Sequence, residues 1–308
     1  MNTQKNILEL KTPLDHAHMM RYIDILSERY PFLSVTGLGE SILGKSIPVI
    51  TLGEGKKSLV YVGAHHGMEW LTSVILLRFI NEFCELYSRG SKVYNCSLNY
   101  MFSTRSIHII PMLNPDGVDY QINGVSEDNI LRDRLISMNN GSLDFSCWQA
   151  NARGVDLNRN YNSRYAEYKQ LENEMGIMGG ASVRFSGEMP ESEPEVGALC
   201  NFLRFNRNIQ AVLTLHSQGE EIYYTSGDKT APRSRAIGER LAKMSGYSLC
   251  LPEESASYCG LTDWCIEELN IPSFTIECGK GQNPLPLSDF FLIYSKLREL
   301  LFCTPTLI

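Results

Sequence analysis

The stretch L-V-Y-V-G-A-H-H-G-M-E-W, from Leu59 to Trp70, is the most informative part of this chain for both fold and chemistry. Its first four residues form an apolar run typical of a buried strand in a parallel sheet, and His66 and Glu69 follow where that strand ends. An imidazole and a carboxylate three residues apart can bind one metal ion from the same side, and a catalytic zinc ion uses three protein ligands. The stretch therefore predicts two metal ligands and calls for a third. The alternative interpretation is a surface histidine beside a helix-starting glutamate.

Two later segments have the same construction. Ala211–Leu215 is a short apolar run followed at once by His216, and Pro272–Ile276 is another run followed by Glu277. The carboxyl ends of parallel strands meet at one edge of an open α/β sheet, where ligands bind. His216 and Glu277 are therefore expected to lie beside the first pair.

A fourth segment, G-V-D-L-N-R-N from Gly154 to Asn160, offers polar side chains and a fixed positive charge. Asn158 and Arg159 can hold a carboxylate, because arginine presents two parallel hydrogen-bond donors and asparagine adds another. The alternative interpretation of this segment alone is an Asx-rich turn with an exposed arginine.

Taken together, these motifs resemble the zinc metallocarboxypeptidase family. The chain has that family's motifs in the family's order, from about residue 40 to residue 300. They are H-x-x-E at His66–Glu69, N-P-D-G at Asn114–Gly117, G-V-D-x-N-R at Gly154–Arg159, S-E-P-E at Ser192–Glu195, L-H-S at Leu215–Ser217, and the late strand ending in Glu277.

Two longer stretches narrow the resemblance. H-S-Q-G-E-E-I-Y-Y (His216–Tyr224) and E-C-G-K-G-Q-N-P-L-P (Glu277–Pro286) are similar to the bacterial gamma-D-glutamyl-diamino acid peptidases. Those enzymes cut the stem peptide of peptidoglycan. The resemblance therefore implies a small peptide substrate and a bacterial origin.

The resemblance also implies a set of site residues. One zinc ion per chain would be held by His66, Glu69 and His216, and Glu277 would be the general base. Asp156 would accept the outer N–H of His66 and so fix its tautomer, as metal-bound histidines generally require.

Three further assignments concern the substrate. Asn158 and Arg159 would grip a substrate carboxylate. The family stabilises the oxyanion with an arginine upstream of the G-V-D motif, and Arg153 is the candidate here, with a structural surface arginine as the alternative. Tyr258 is a candidate substrate contact before the Asp-Trp pair, although the family's strict offset falls on Ser255.

Composition excludes several classes of partner. The formal net charge of −7 disfavours nucleic acid or an anionic membrane. Nine scattered cysteines, odd in number and without a C-x-x-C pair, argue against a disulfide framework and favour a reducing compartment. We expect no signal peptide at the amino terminus, no membrane span and a cytoplasmic location.

The order of periodic segments predicts the fold class. Strands that alternate with helices predict an α/β fold with a mixed, mostly parallel central sheet, flanked by helices on both faces in a carboxypeptidase-like arrangement. Residues 1–308 are expected to form a single zinc peptidase domain. The N-P-D-G motif is predicted as a turn, and the stretch from Asp119 to Arg184 as a long loop without clear periodicity.

The function predicted from the sequence is a zinc-dependent peptidase. Its expected reaction is hydrolysis of the gamma-D-glutamyl-diaminopimelate bond of peptidoglycan stem peptides. One alternative is a generic metallocarboxypeptidase acting on ordinary peptides. Another, from a different class, is an inactive protein that binds cell-wall peptides.

Overall fold

The computed structural model describes residues 12–252 and 257–308 of the chain. The described residues form ten α-helices and ten strands. The helices are α1 (His16–Arg29), α2 (Leu71–Ser88), α3 (Leu98–Thr104), α4 (Pro115–Asn123), α5 (Arg132–Met138), α6 (Tyr165–Glu174), α7 (Pro194–Phe205), α8 (Ser234–Ser245), α9 (Leu261–Leu269) and α10 (Phe290–Cys303). The strands are β1 (Ser34–Glu40), β2 (Ser46–Leu52), β3 (Lys57–Val62), β4 (Lys92–Val93), β5 (Cys96–Ser97), β6 (Arg105–Ile110), β7 (Ile209–His216), β8 (Glu221–Tyr223), β9 (Ser248–Cys250) and β10 (Ser273–Glu277).

Eight of these strands form one mixed sheet, in the order β1-β2-β6-β3-β7-β10-β8-β9. The pairings β6–β3, β3–β7, β7–β10 and β8–β9 are parallel, whereas β1–β2, β2–β6 and β10–β8 are antiparallel. The predicted fold class is confirmed. The three strands expected to carry the site, β3, β7 and β10, are neighbours at the centre of the sheet.

Helices cover both faces of this sheet, and β3 shows why. Leu59 and Tyr61 pack into one hydrophobic cluster with α1, α2 and α10, while Val60 and Val62 pack into a second cluster with α7 and α9. Successive side chains of a strand point to opposite faces. A strand buried on both sides is therefore apolar throughout, as the sequence of β3 indicated.

The N-P-D-G motif begins helix α4, so its prediction as a turn was wrong. Asn114 caps α4 by accepting a hydrogen bond from the Gly117 backbone N–H at 2.9 Å, and Pro115 occupies the first helical position. Proline suits that position because its missing N–H is not needed there. The turn residues of the motif thus serve as a helix start.

The stretch predicted as a long loop is also partly helical. Helices α5 and α6 lie within it, and α4 runs into its beginning. Helix α6 buries only Tyr168 and Glu172. It has no continuous apolar stripe, and that stripe is the pattern by which a helix is recognised in a sequence.

None of the helices in the described ranges is both long and apolar enough to cross a membrane.

Candidate metal centre and cleft

Three side chains converge where β3 and β7 end at the same edge of the sheet. After β3 the chain makes a 3-10 turn over Gly67–Glu69, with His66 immediately before it. His216 is the last residue of β7. The rings of His66 and His216 and the carboxylate of Glu69 are all buried.

The potential ligand atoms of these residues lie close together. His66 Nδ1 is 3.0 Å from Glu69 Oε1, and His216 Nδ1 is 3.0 Å from Glu69 Oε2. The two Nδ1 atoms are 3.3 Å apart. Among the described residues, this is the group of His, Cys, Asp and Glu side chains that could hold a metal ion.

The electrostatics of this group favour a bound cation. Burial alone would raise the pKa of Glu69, but the rings of His66 and His216 lower it to about 2. Burial disfavours a charged His66, yet the Glu69 and Asp156 carboxylates raise its pKa to about 10. Two nitrogens and a carboxylate are also the donor set that zinc takes in catalytic sites. The residues present therefore fit a zinc ion.

Asp156 lies where a partner of a metal-bound histidine is needed. Its Oδ1 is 3.1 Å from His66 Nε2, on the side of the ring away from Glu69. The Asp156 side chain is buried, and it also accepts a hydrogen bond from the Asn158 backbone N–H at 3.1 Å. A carboxylate on the outer nitrogen orients the ring and raises its basicity as a ligand.

The cluster opens into a cleft of about 690 Å³. The cleft is lined mainly by polar side chains. Its lining includes His66, Glu69, Asn158, Arg159, His216, Tyr223, Thr225, Thr262, Asp263, Thr275, Glu277 and Asn283. A single cleft thus contains the potential metal ligands, two further carboxyl groups and an arginine.

Glu277 is at the end of β10, in register with His216. Burial, and after it the nearby Glu69 carboxylate, raises the pKa of Glu277 to about 8. A carboxyl group with a raised pKa binds a proton more readily than usual, which suits an acid–base role. A positive ion held by the neighbouring cluster would lower that pKa and favour the ionised form.

Arg159 and Asn158 also line this cleft. The guanidinium of Arg159 donates to the Tyr258 carbonyl at 2.8 Å and lies over the Tyr168 ring, 5.0 Å from its centroid. Asn158 Oδ1 accepts a hydrogen bond from the Leu261 backbone N–H at 3.0 Å. These contacts hold both side chains in place on the cleft wall.

The structure does not bring Arg153 into this cleft. Its side chain is about half exposed, 3.8 Å from Glu193, and it lines a separate cavity beside α7. Its backbone N–H is held by Asn151 Oδ1 at 3.0 Å, in the turn before the G-V-D motif. This placement matches the alternative of a structural surface arginine and not the expected oxyanion role.

Tyr258 does not itself line the cleft and contacts it only through Arg159, which does. Its carbonyl accepts from Arg159, and its ring lies under the Arg164 guanidinium, 4.8 Å from the centroid. Ser255, on which the family's strict offset falls, is outside the described residues.

Two groups of residues at the site were not predicted from the sequence. Asn283 joins two site segments: its Nδ2 donates to the Ser217 carbonyl at 2.6 Å, and it lies 3.5 Å from Glu69 Oε1. Thr262 and Thr275 pair through their hydroxyls at 2.8 Å in the cleft wall. Neutral side chains of this kind carry no charge or spacing pattern by which a sequence would single them out.

Comparison with known proteins agrees with this geometry. A model of the zinc carboxypeptidase family matches residues 19–300. Gamma-D-glutamyl-L-diamino acid endopeptidase 1 of Lysinibacillus sphaericus is 36% identical over 283 residues, which cover 92% of this chain and 69% of that protein. The uncharacterized protein YqgT of Bacillus subtilis (strain 168) is 31% identical, covering 96% of this chain and 78% of that protein.

Solved structures show the same fold. Bovine thrombin-activatable fibrinolysis inhibitor, in complex with tick carboxypeptidase inhibitor, matches with a TM-score of 0.71 and 20% identity, over 96% of this chain and 97% of that chain. Murein-tripeptide amidase MpaA from Escherichia coli O157 matches with a TM-score of 0.53 and 21% identity, over 89% and 91% of the two chains. At these identities the likeness concerns the fold.

Proposed function

This chain belongs to the zinc carboxypeptidase family and is a peptidase, and on that premise we propose that it hydrolyses the gamma-D-glutamyl-diaminopimelate bond of peptidoglycan stem peptides. The name of the Lysinibacillus sphaericus relative supports the choice of a gamma-D-glutamyl-diamino acid substrate. We further propose that residues 1–308 act as one peptidase domain, since one eight-stranded sheet runs through the described part.

One observation carries the proposal: the candidate metal cluster, Glu277 and Arg159 line the same cleft. Hydrolysis of a peptide bond beside a carboxylate needs an activated water, a proton acceptor and a cation that fixes the carboxylate. The cleft offers a residue for each of these requirements.

His66, Glu69 and His216 are the proposed ligands of one zinc ion per chain. When bound, such an ion activates water and polarises the scissile carbonyl. Asp156 holds the His66 ring in the orientation that directs Nδ1 towards Glu69.

Glu277 is the proposed general base and acid. Its carboxylate takes a proton from the attacking water and passes it to the nitrogen of the leaving amine. Its position at the end of β10, beside His216, keeps it at the metal cluster.

Asn158 and Arg159 are proposed to bind the carboxylate next to the cleaved bond. Diaminopimelate keeps that carboxylate on the carbon that bears the released amine. Any peptide with a free carboxyl terminus offers the same group, so the pair fixes the register of the substrate without selecting a diamino acid.

Selection of the diamino acid requires a group that contacts its distal end, which carries an ammonium and a carboxylate. Glu220 and Glu221 are already engaged elsewhere: Glu220 pairs with Lys296 and with Lys280, and Glu221 accepts a hydrogen bond from Tyr223 Oη at 2.5 Å.

Asp263 is also paired, 3.6 Å from Arg164 Nη2, but unlike Glu220 and Glu221 it lines the cleft. It is 5% exposed and belongs to the cleft wall, and Ser257 Oγ donates to its Oδ1 at 3.0 Å. The hydroxyls of Thr225, Thr262 and Thr275 line the cleft with it. We assign the distal ammonium to Asp263 and these hydroxyls.

A comparison of two substrates tests this specificity. Turnover of gamma-D-glutamyl-meso-diaminopimelate should greatly exceed turnover of gamma-D-glutamyl-L-alanine, and Asp263→Asn should remove most of that preference. Glu220→Gln, which alters a carboxylate paired with lysines, should keep it. Equal turnover of the two substrates by the unaltered protein would replace the proposal with a generic metallocarboxypeptidase. Binding of both without cleavage would favour an inactive binding protein.

A further inference from the structure

Gln149 touches the proposed metal site from two sides. Its carbonyl accepts a hydrogen bond from the Gly67 backbone N–H at 3.0 Å, and Gly67 lies between His66 and Glu69. Its side-chain Nε2 donates to Asp156 Oδ2 at 2.9 Å. One residue therefore contacts both the turn that separates two ligands and the carboxylate that holds the His66 ring.

The main chain of Gln149 is firmly placed. Asn114 Nδ2 donates to its carbonyl at 3.2 Å, and its own N–H donates to the Ser182 carbonyl at 3.1 Å. A Cβ on Gly67 would lie only 2.7 Å from the Trp148 carbonyl oxygen, so only glycine permits this close approach. The Gln149 side chain thus begins from a fixed position beside the ligand turn.

Four donors surround the Asp156 carboxylate. Oδ1 accepts from His66 Nε2 and from the Asn158 backbone N–H, both at 3.1 Å. Oδ2 accepts from Gln149 Nε2 at 2.9 Å and from the Arg184 backbone N–H at 3.3 Å. Gln149 makes the shorter bond to Oδ2, and it makes that bond with a side chain that can be replaced.

The donor that Gln149 supplies is neutral, and this matters chemically. A lysine or arginine at this place would pair with Asp156 and neutralise part of its charge. An amide orients the carboxylate without adding a second positive charge to that of the nearby Arg159, so the negative charge of Asp156 continues to act on His66. Carboxylates that hold metal-bound histidines raise the basicity of the ligand and strengthen metal binding.

We propose that Gln149 is a positioning residue for the metal centre: it holds Asp156 in the orientation that fixes His66, and it thereby strengthens zinc binding. The inference rests on the proposed metal ligands and on nothing else in the proposed function. It concerns a residue that the family motifs of the sequence did not single out.

Zinc affinity of the metal-free protein is the primary test, measured by competition with a chromogenic chelator. Gln149→Met keeps the length of the side chain and removes the donor. The affinity should fall by up to about tenfold, the lower end of the ten- to hundredfold loss that is typical for direct partners of metal ligands such as Asp156. Gln121→Met is the matched control, because Gln121 Nε2 donates to the Ser146 carbonyl at 3.0 Å and does not contact Asp156. The control should keep the affinity of the unaltered protein.

A double-mutant cycle shows whether Gln149 acts through Asp156 or whether its substitution destabilises the site in general. In the Asp156→Asn background, Gln149→Met should have little further effect, because its partner carboxylate is already gone. A loss of affinity equal to that in the unaltered background would overturn the proposal, as would a Gln149→Met protein with normal affinity.

A spectroscopic readout covers the case in which Asp156→Asn does not fold. The visible spectrum of the Co²⁺-loaded Gln149→Met protein should differ from that of the unaltered protein, whereas Gln121→Met should leave it unchanged. An unchanged Gln149→Met spectrum would overturn the proposal. His66→Ala tests the proposed ligands separately from Gln149. If His66→Ala binds zinc normally, the ligand assignment itself is wrong. If His66→Ala fails to bind zinc while Gln149→Met binds it normally, only the role of Gln149 is wrong.

Discussion

His216 and Glu277 are register partners at the ends of the adjacent parallel strands β7 and β10. The sheet itself therefore sets the position of the proposed base relative to a proposed ligand. Groups carried on strands are held more precisely than groups carried on loops. Because the base and the ligands are different residues on different strands, variants can test the two roles separately.

The Glu277→Gln variant should still bind zinc but lose most of its peptidase activity. Glutamine has nearly the same shape, but it cannot take a proton from water. Turnover should fall by about a hundred- to ten-thousandfold, the range typical for a lost general base, while zinc content stays at the level of the unaltered protein. Turnover and elemental analysis of the same sample measure both quantities. Near-normal turnover would move the base role to another residue.

His66→Ala and His216→Ala should each lose bound zinc while the fold survives. Each variant removes one of three ligands and leaves a pair that binds zinc weakly. His108→Ala is the control, because His108 bonds to Thr51 on β2, in the half of the sheet away from β10. Elemental analysis and circular dichroism give the readout. Stoichiometric zinc in either ligand variant would contradict the assignment.

Arg159→Ala should raise the Michaelis constant for substrates with a free carboxylate next to the cut. Leaving that charge unpaired costs about 2–5 kcal/mol. Amidation of the carboxylate should weaken binding to the unaltered protein and hardly affect the variant. Arg153→Ala, on the separate cavity, should leave the Michaelis constant unchanged. Should Arg153→Ala instead abolish turnover, the oxyanion role would return to that arginine.

Glu195 should make the stability of the protein fall as pH rises. It is fully buried, and burial first, then Glu193 and Asp116, raises its pKa to about 7 from an ordinary value of 4.5. A raised folded-state pKa means that the folded state holds the proton more tightly than the unfolded state. The stabilisation is therefore complete below pH 4.5 and is lost as pH rises to about 7.

Glu195→Gln removes this dependence. Between pH 4.5 and pH 7 the free energy of unfolding of the unaltered protein should fall relative to that of the variant. The fall should be at most about 3 kcal/mol, since one pKa unit corresponds to 1.36 kcal/mol. Urea unfolding of both zinc-loaded proteins across that interval measures the difference. A difference that stays constant with pH would show that Glu195 does not titrate in this range.

The strand ends could be predicted from the sequence because each combines two independent signals. A short apolar run identifies a buried strand, and a histidine or glutamate directly after it identifies the functional edge. Helix α9 lacked such a signal. Its residues from Leu261 to Ile266 are all buried, so its sequence does not show the alternation of an exposed and a buried face by which a helix is recognised.

Loop residues were harder to place, and Arg153 and Gln149 show the reason. Both lie a few residues before the G-V-D motif, and sequence distance does not say which of them turns towards the site. The charged residue was the expected candidate, whereas the structure directs Arg153 to Glu193 and brings the neutral Gln149 onto Asp156. The turn between them is held by the Asn151 side chain, whose Oδ1 accepts from the backbone N–H groups of Arg153 and Val155 at 3.0 and 3.1 Å. An asparagine in a loop does not by itself reveal which backbone groups it will bind.

The proposed substrate and reaction can be checked together by mass spectrometry of the products. Zinc-loaded protein incubated with gamma-D-glutamyl-meso-diaminopimelate should release free glutamate and free diaminopimelate, and a chelator or Glu277→Gln should stop the release. Recovery of the intact peptide under conditions in which hippuryl-type peptides are cleaved would contradict the proposed substrate and leave a generic carboxypeptidase. Recovery of both peptides intact would contradict the proposed activity.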